Sequence, residues 1–149
     1  MDYDIVEVTS QPMLSMRQRV ERAAIGGQFQ EVLATVNGVL ATRGLTATHQ
    51  PMGIYHAVDD MSFDVEIGIP IDEAQPGWDY LASETPGGRA ARTLYRGPYE
   101  GLAAAWEAFA RVLEDAGHRL ASPCWEVYVN DPMDHPPEAW ETELYTRLA

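Results

Sequence analysis

Two helical stripes, each closed by a glycine and each followed by a pair of short strands, recur at nearly constant spacing and restrict this chain to a fold of two similar units. Phe29, Val32, Leu33, Val36 and Leu40 fall at i, i+3, i+4, i+7 and i+11, one face of a 3.6-residue helix, which predicts a helix over Gln28–Arg43 with Gly44 as its stop. Leu102, Trp106, Phe109 and Leu113 repeat that spacing behind a Gly97-Pro98 opening and ahead of Gly117. Gly44 and Gly117 are 73 residues apart, Pro51 and Pro123 are 72 apart, and Tyr55 and Tyr128 are 73 apart. Glu66 and Glu143 are 77 apart, because Asn130 to Pro137 lengthens the second hairpin. Such an offset points to a duplicated unit.

The remaining elements fit that division. Asp4 to Val8 and Met13 to Arg17 have strand character. Met52 to Val58 and Ser62 to Ile69 form a hairpin around Asp59-Asp60-Met61. Arg89 to Tyr95 is a further strand, and Trp125 to Val129 with Trp140 to Leu148 makes a second hairpin. Residues 71–88, rich in proline and glycine, are expected as a connector between repeats 3–70 and 80–149. The class is α+β: strand-helix-strand-strand units in pseudo-twofold relation, with antiparallel sheets, in one domain over residues 1–149. That length suffices to bury a core without staples.

Charge and cysteine content narrow the function. With 10 Lys and Arg against 23 Asp and Glu the net charge is −13, which disfavours direct binding of nucleic acid. Cys124 is the lone cysteine, so no internal disulfide or cysteine-clustered zinc site forms, and a cytoplasmic location fits. No run approaches the roughly 20 apolar residues that cross a bilayer, and the N-terminus lacks a signal pattern, so neither membrane association nor export is expected. His49, His56, His118 and His135 have no ligand spacing, which predicts no metal. Gly87-Gly88 and Gly97-Pro98 lack the strand-loop-helix context of a phosphate cradle, so neither nucleotide nor other cofactor is expected. Cys124 is read as a structural thiol, Trp106 as a core residue on its helical stripe, and Trp78 as a lid or an edge cover in the connector.

Strand alternation then divides the hairpins into two faces. Ile54, Val58, Phe63, Val65, Ile67 and Ile69 of the first are expected to meet the helix. So are Trp125, Val127, Val129, Trp140, Leu144 and Leu148 of the second, with Thr142 and Thr146. Tyr55, Asp64 and Glu66, together with Glu126, Tyr128, Glu141, Glu143 and Tyr145, fall on the faces turned away. One reading of those faces is an ordinary solvated sheet surface. The other is a shared cleft with aromatic walls and an acidic floor, suited to an amphipathic cation.

The segments TPGGRAARTLYRGPYEGL at 85–102, AW at 105–106, CWEVYVNDP at 124–132 and TELY at 142–145 resemble the GyrI-like small-molecule-binding family. That family includes the gyrase inhibitory protein and the effector-binding domains of multidrug-responsive transcription regulators. The resemblance implies a ligand cleft between the two units and places the family's central ligand carboxylate on Glu126, in the WEVY segment. Tyr55, Glu66, Tyr128, Trp140, Glu143 and Tyr145 are ligand-binding candidates from alternation. Many relatives carry a histidine before the Gly-Pro-Tyr turn. Here Leu94-Tyr95-Arg96 precedes Gly97, so an imidazole role is in doubt.

Three functions are therefore in view. The first is a stand-alone module that senses or sequesters amphipathic aromatic or cationic compounds. Regulatory relatives carry a DNA-binding segment ahead of this domain, and the start of the module near Met1 leads us to expect none. The second is a hydrolase of strained-ring, cyclopropane-type electrophiles with Glu126 as general base. The third is a protein-interaction inhibitor similar to the gyrase inhibitory protein, with a macromolecular partner.

Overall fold

Apolar stripes on two helices and alternating strands resolve into a single antiparallel sheet carrying both helices. In the computed structural model, which describes residues 1–21, 24–59, 61–74 and 82–149, the order is β1 (Asp4–Val8), β2 (Pro12–Glu21), α1 (Ile25–Arg43), β3 (Met52–Val58), β4 (Ser62–Pro70), β5 (Ala82–Glu84), β6 (Gly88–Arg96), α2 (Leu102–Asp115), β7 (Leu120–Tyr128) and β8 (Glu141–Leu148). The eight strands lie in the order β1-β6-β8-β7-β3-β4-β2-β5. On either side of the β3–β7 pair the sequence is alike: β3-β4-β2 with α1, and β7-β8-β6 with α2.

Several elements run longer than the sequence suggests. β2 reaches Glu21, because Arg17 to Glu21 pair across to Ser62 to Glu66 of β4. β7 begins at Leu120, where it pairs Leu148, and absorbs Pro123 at an irregularity between Ala121 and Cys124. The connector holds an edge strand, β5, which pairs Pro12 to Leu14; Trp78 lies outside the described residues. Gly97-Pro98 opens a 3-10 turn at Tyr99–Gly101 before α2 begins. Gly44 ends α1 in the left-handed conformation, with φ 65°.

Three apolar clusters hold the layers together. Val32, Val36 and Leu40 of α1 pack on Val65, Ile67 and Ile69 of β4 and Leu14 of β2. Phe109 and Leu113 of α2 pack on Ala91, Leu144 and Leu148. The third cluster, Met13, Met52, Ile54, Ala90 and Trp125 with Val6 and Val8 of β1, occupies the sheet's other face.

That third cluster corrects the expected faces of the seam strands. Residues paired directly across an antiparallel ladder share a face. Ile54 pairs both Glu66 and Trp125, whereas Tyr55 pairs Val65, which lies beneath α1. Ile54, Trp125 and Val127 therefore point away from the helices, and Tyr55, Glu126 and Tyr128 point toward them. Val58 returns to the helix side because the β3–β4 register shifts between Tyr55 and Ala57. On β4 and β8 the expected parity holds for Val65, Ile67, Ile69, Leu144 and Leu148.

Candidate functional site

With the helices seated on either side of the β3–β7 seam, the sheet between them forms the floor of a cavity of about 710 Å³, a volume typical of small-molecule sites. Phe29 and Gln30 of α1 form one wall, and Ala103, Trp106 and Glu107 of α2 form the other. Tyr55, Cys124, Glu126 and Tyr128 line it from β3 and β7.

Glu126 is the chemical centre of the cavity. It is 4% exposed. Tyr128 Oη donates to its Oε1 at 2.6 Å and Tyr55 Oη at 3.3 Å, while Trp106 Nε1–H donates to its Oε2 at 2.7 Å. All three donors are neutral. Among the described residues Glu126 has no ion pair, and no residue lining the cavity is Lys, Arg or His. Burial raises the carboxyl pKa above its ordinary value, against the pull of the three hydrogen bonds. The same burial, with the Glu126 charge, pushes the Tyr55 and Tyr128 phenols well above their usual range. Both tyrosines therefore stay protonated and remain donors.

Backbone geometry makes this cluster possible. Gly53 is the β3 residue paired with Glu126. A Cβ on Gly53 would lie 2.9 Å from Tyr128 Oη, so a side chain there would push the phenol off the carboxylate. Aromatic rings complete the enclosure: Phe29 meets Tyr128 edge-on at 4.7 Å, Tyr55 meets Phe63 at 5.2 Å, and Tyr99 lies 5.9 Å from Tyr128. Edge and face contacts of this kind fix ring orientation and leave negative ring faces for a ligand.

The seven candidates thus separate. Tyr55, Glu126 and Tyr128 meet in the cavity. Trp140 stands behind its rim, tilted against Tyr99 at 4.5 Å with its Nε1–H donated to the His135 carbonyl. Glu66, Glu143 and Tyr145 lie on the sheet's other face, because they share it with Ile54, Val127 and Trp125. Glu66 accepts a hydrogen bond from Ser15 Oγ and pairs with His56 Nε2 at 2.9 Å. Glu143 is held by the Arg92 guanidinium, and Tyr145 is stacked on Trp125 at 5.1 Å. The cavity that gathers Tyr55, Glu126 and Tyr128 thus opens on the helix side, while Glu143 and Tyr145 line a smaller cavity of about 360 Å³ on the opposite face.

Trp106 is a core residue on its helical stripe, as the spacing predicts, and also a hydrogen-bond donor to the carboxylate. The available signal was the indole N–H, which at a half-buried helical position needs an acceptor. Cys124 lines the same cavity, and burial pushes its thiol up to about 11, which keeps it protonated. Among the described residues no group of three or more His, Cys, Asp or Glu is placed to hold a metal, and no helix is long and apolar enough to cross a membrane.

A family model for the GyrI-like small molecule binding domain matches residues 1–149. The chain belongs to the GyrI-like family. Its fold is shared with the EcmrR C-terminal domain, at 19% identity and a TM-score of 0.85, covering 99% of this chain and 97% of that one. In the EcmrR–DNA complex this GyrI-like chain again aligns over 99% of its length, with a TM-score of 0.86 and 19% identity, but spans 57% of the EcmrR chain. SAV2435 bound to tetraphenylphosphonium matches at 14% identity and a TM-score of 0.73, over 100% of this chain and 94% of that one. A hydrolase from Listeria innocua matches at 13% identity and a TM-score of 0.70, over 99% and 91%. A search of curated protein sequences returns no match.

Proposed function

We propose that this GyrI-like chain binds bulky aromatic cations in the cavity between α1 and α2, with Glu126 as counter-charge, so as to sense or sequester them. The observation that carries this reading is a buried carboxylate surrounded by neutral donors, with no cation beside it among the described residues. Three hydrogen bonds offset part of the cost of burying that charge. An entering cation supplies the rest, and the surrounding ring faces attract the same charge. The net charge of −13 raises the local concentration of cations at the mouth. The likeness in fold to SAV2435, which binds tetraphenylphosphonium, supports the same choice of ligand class.

Titration calorimetry with tetraphenylphosphonium tests the proposal. Glu126→Gln should weaken binding by roughly thirtyfold or more, the scale of a buried charge left unpaired. Triphenylphosphine oxide, a neutral comparison, should lose far less. Equal losses for both probes would remove Glu126 as counter-charge.

A hydrolytic reading is favoured by the raised pKa of Glu126 beside two phenols and by the fold of the Listeria hydrolase. In that reading ionised Glu126 takes a proton from a water whose oxygen bonds to a strained-ring carbon, the cleaved C–C bond's electron pair passes to the remaining skeleton, and protonated Glu126 returns its proton there, regenerating the carboxylate. Mass spectrometry separates the two readings: a product one water heavier that Glu126→Gln abolishes means turnover, and unchanged ligand means binding.

A further inference from the structure

We infer that the cavity is matched to dications, with Glu126 taking one charge at the floor and Glu107 taking the second at the rim. This inference rests on the proposed cation site and deepens it. On α2, Ala103, Trp106, Glu107 and Ala110 all line the cavity, and their spacing of i, i+3, i+4 and i+7 is a single helical face. Trp106 Nε1–H reaches down to Glu126. Glu107, the next residue, is exposed, and the alanines three or four residues to either side leave its carboxylate uncrowded. Among the described residues the Glu107 side chain has neither hydrogen bond nor ion pair; Arg111, one turn further on, does not pair with it. These two are, among the described residues, the carboxylates of the lining, and the lining holds no Lys, Arg or His to oppose them.

The two carboxylates have different electrostatic characters. Glu126 is buried and desolvated, so its attraction for a cation is weakly screened. Glu107 faces solvent, so its contribution is modest and salt-sensitive. The cavity of about 710 Å³ is bounded by both carboxylates, one on its floor strand β7 and one on its α2 wall. A ligand with two charged aromatic heads joined by a flexible linker therefore satisfies both positions, whereas a monocation leaves Glu107 unused.

The test compares two probe types: bis(triphenylphosphonium) alkanes with linkers of four to ten carbons, and monocationic alkyl-triphenylphosphonium salts of the same chain length. At low salt the best dication should bind wild type roughly three- to fivefold more tightly than its monocation partner, the scale of one exposed ion pair. That advantage should shrink as salt is raised. Glu107→Gln, an exposed helical substitution, should weaken the dication more than the monocation and erase the linker-length optimum. Equal affinities of the two probe types, or equal losses of both on Glu107→Gln, would overturn the inference while leaving the monocation site intact. Failure of both probe types to bind wild type would instead overturn the cation site itself.

Discussion

Glu126 and Glu143 sit on adjacent strands, yet they are opposite in character. Glu143 faces the side of the sheet away from the helices, where the Arg92 guanidinium holds it. Glu126 faces the helices, where tyrosines and a tryptophan hold it without a countercharge among the described residues. The register explains the division: Glu126 pairs Leu144, and Glu143 pairs Val127, so the two carboxylates lie on opposite faces. A carboxylate already matched to a cation fastens strands together. One matched to neutral donors retains its appetite for charge.

Exchanging each carboxylate for its amide sharpens this contrast. Glu126→Gln should cost most of the affinity for tetraphenylphosphonium, whereas Glu143→Gln should change it less than about twofold and instead lower stability by about 1–3 kcal/mol, because Arg92 loses a charged acceptor. Calorimetry and denaturant titration read the two effects, and a binding loss at Glu143 would break the contrast. Trp106→Phe keeps a ring but removes the indole donor. It should weaken cation binding about three- to tenfold near neutral pH and raise further the pH at which binding appears, which a pH series of titrations measures.

Stability should respond to pH in the direction set by burial. The folded-state pKa of Glu126 is raised from the ordinary 4.5, so its contribution is full below that ordinary value and is lost as pH rises through the folded-state one. Glu126→Gln does not titrate. Without ligand it should therefore melt at a higher temperature than wild type at neutral pH, and the difference should vanish in acid. Scanning calorimetry across pH checks this, and a variant that melts lower throughout would show that the carboxylate is structural, like Glu143. The smallest effect concerns Cys124, whose thiol is pushed up to about 11. Its alkylation should be slow at neutral pH and slower still with tetraphenylphosphonium bound, as followed by intact mass.

Much of the architecture was legible in the sequence, and the reason lies in the helices. Val32, Val36, Phe109 and Leu113 are apolar on one stripe because only one face of each helix is covered. The seam strands β3 and β7 carry apolar or aromatic side chains on both faces: Tyr55 and Tyr128 line the cavity on one, and Met52, Ile54 and Trp125 join Met13 and Ala90 in a cluster on the other. Alternation therefore carries no sign there, and apolar character alone puts Ile54 and Trp125 on the wrong face. The shift in register between Tyr55 and Ala57 reverses parity within β3 itself, so Val58 and Tyr55 share a side despite odd spacing. The WEVY segment still singled out Glu126, since that inference came from resemblance and did not depend on parity.

Four paired positions, Met52 to Tyr55 with Cys124 to Val127, stitch β3 to β7. Tyr55 stands on one bank of that seam and Glu126 on the other. The base of the cavity is thus drawn from both halves of the molecule, and anything lodged there rests on two lengths of chain some seventy residues apart.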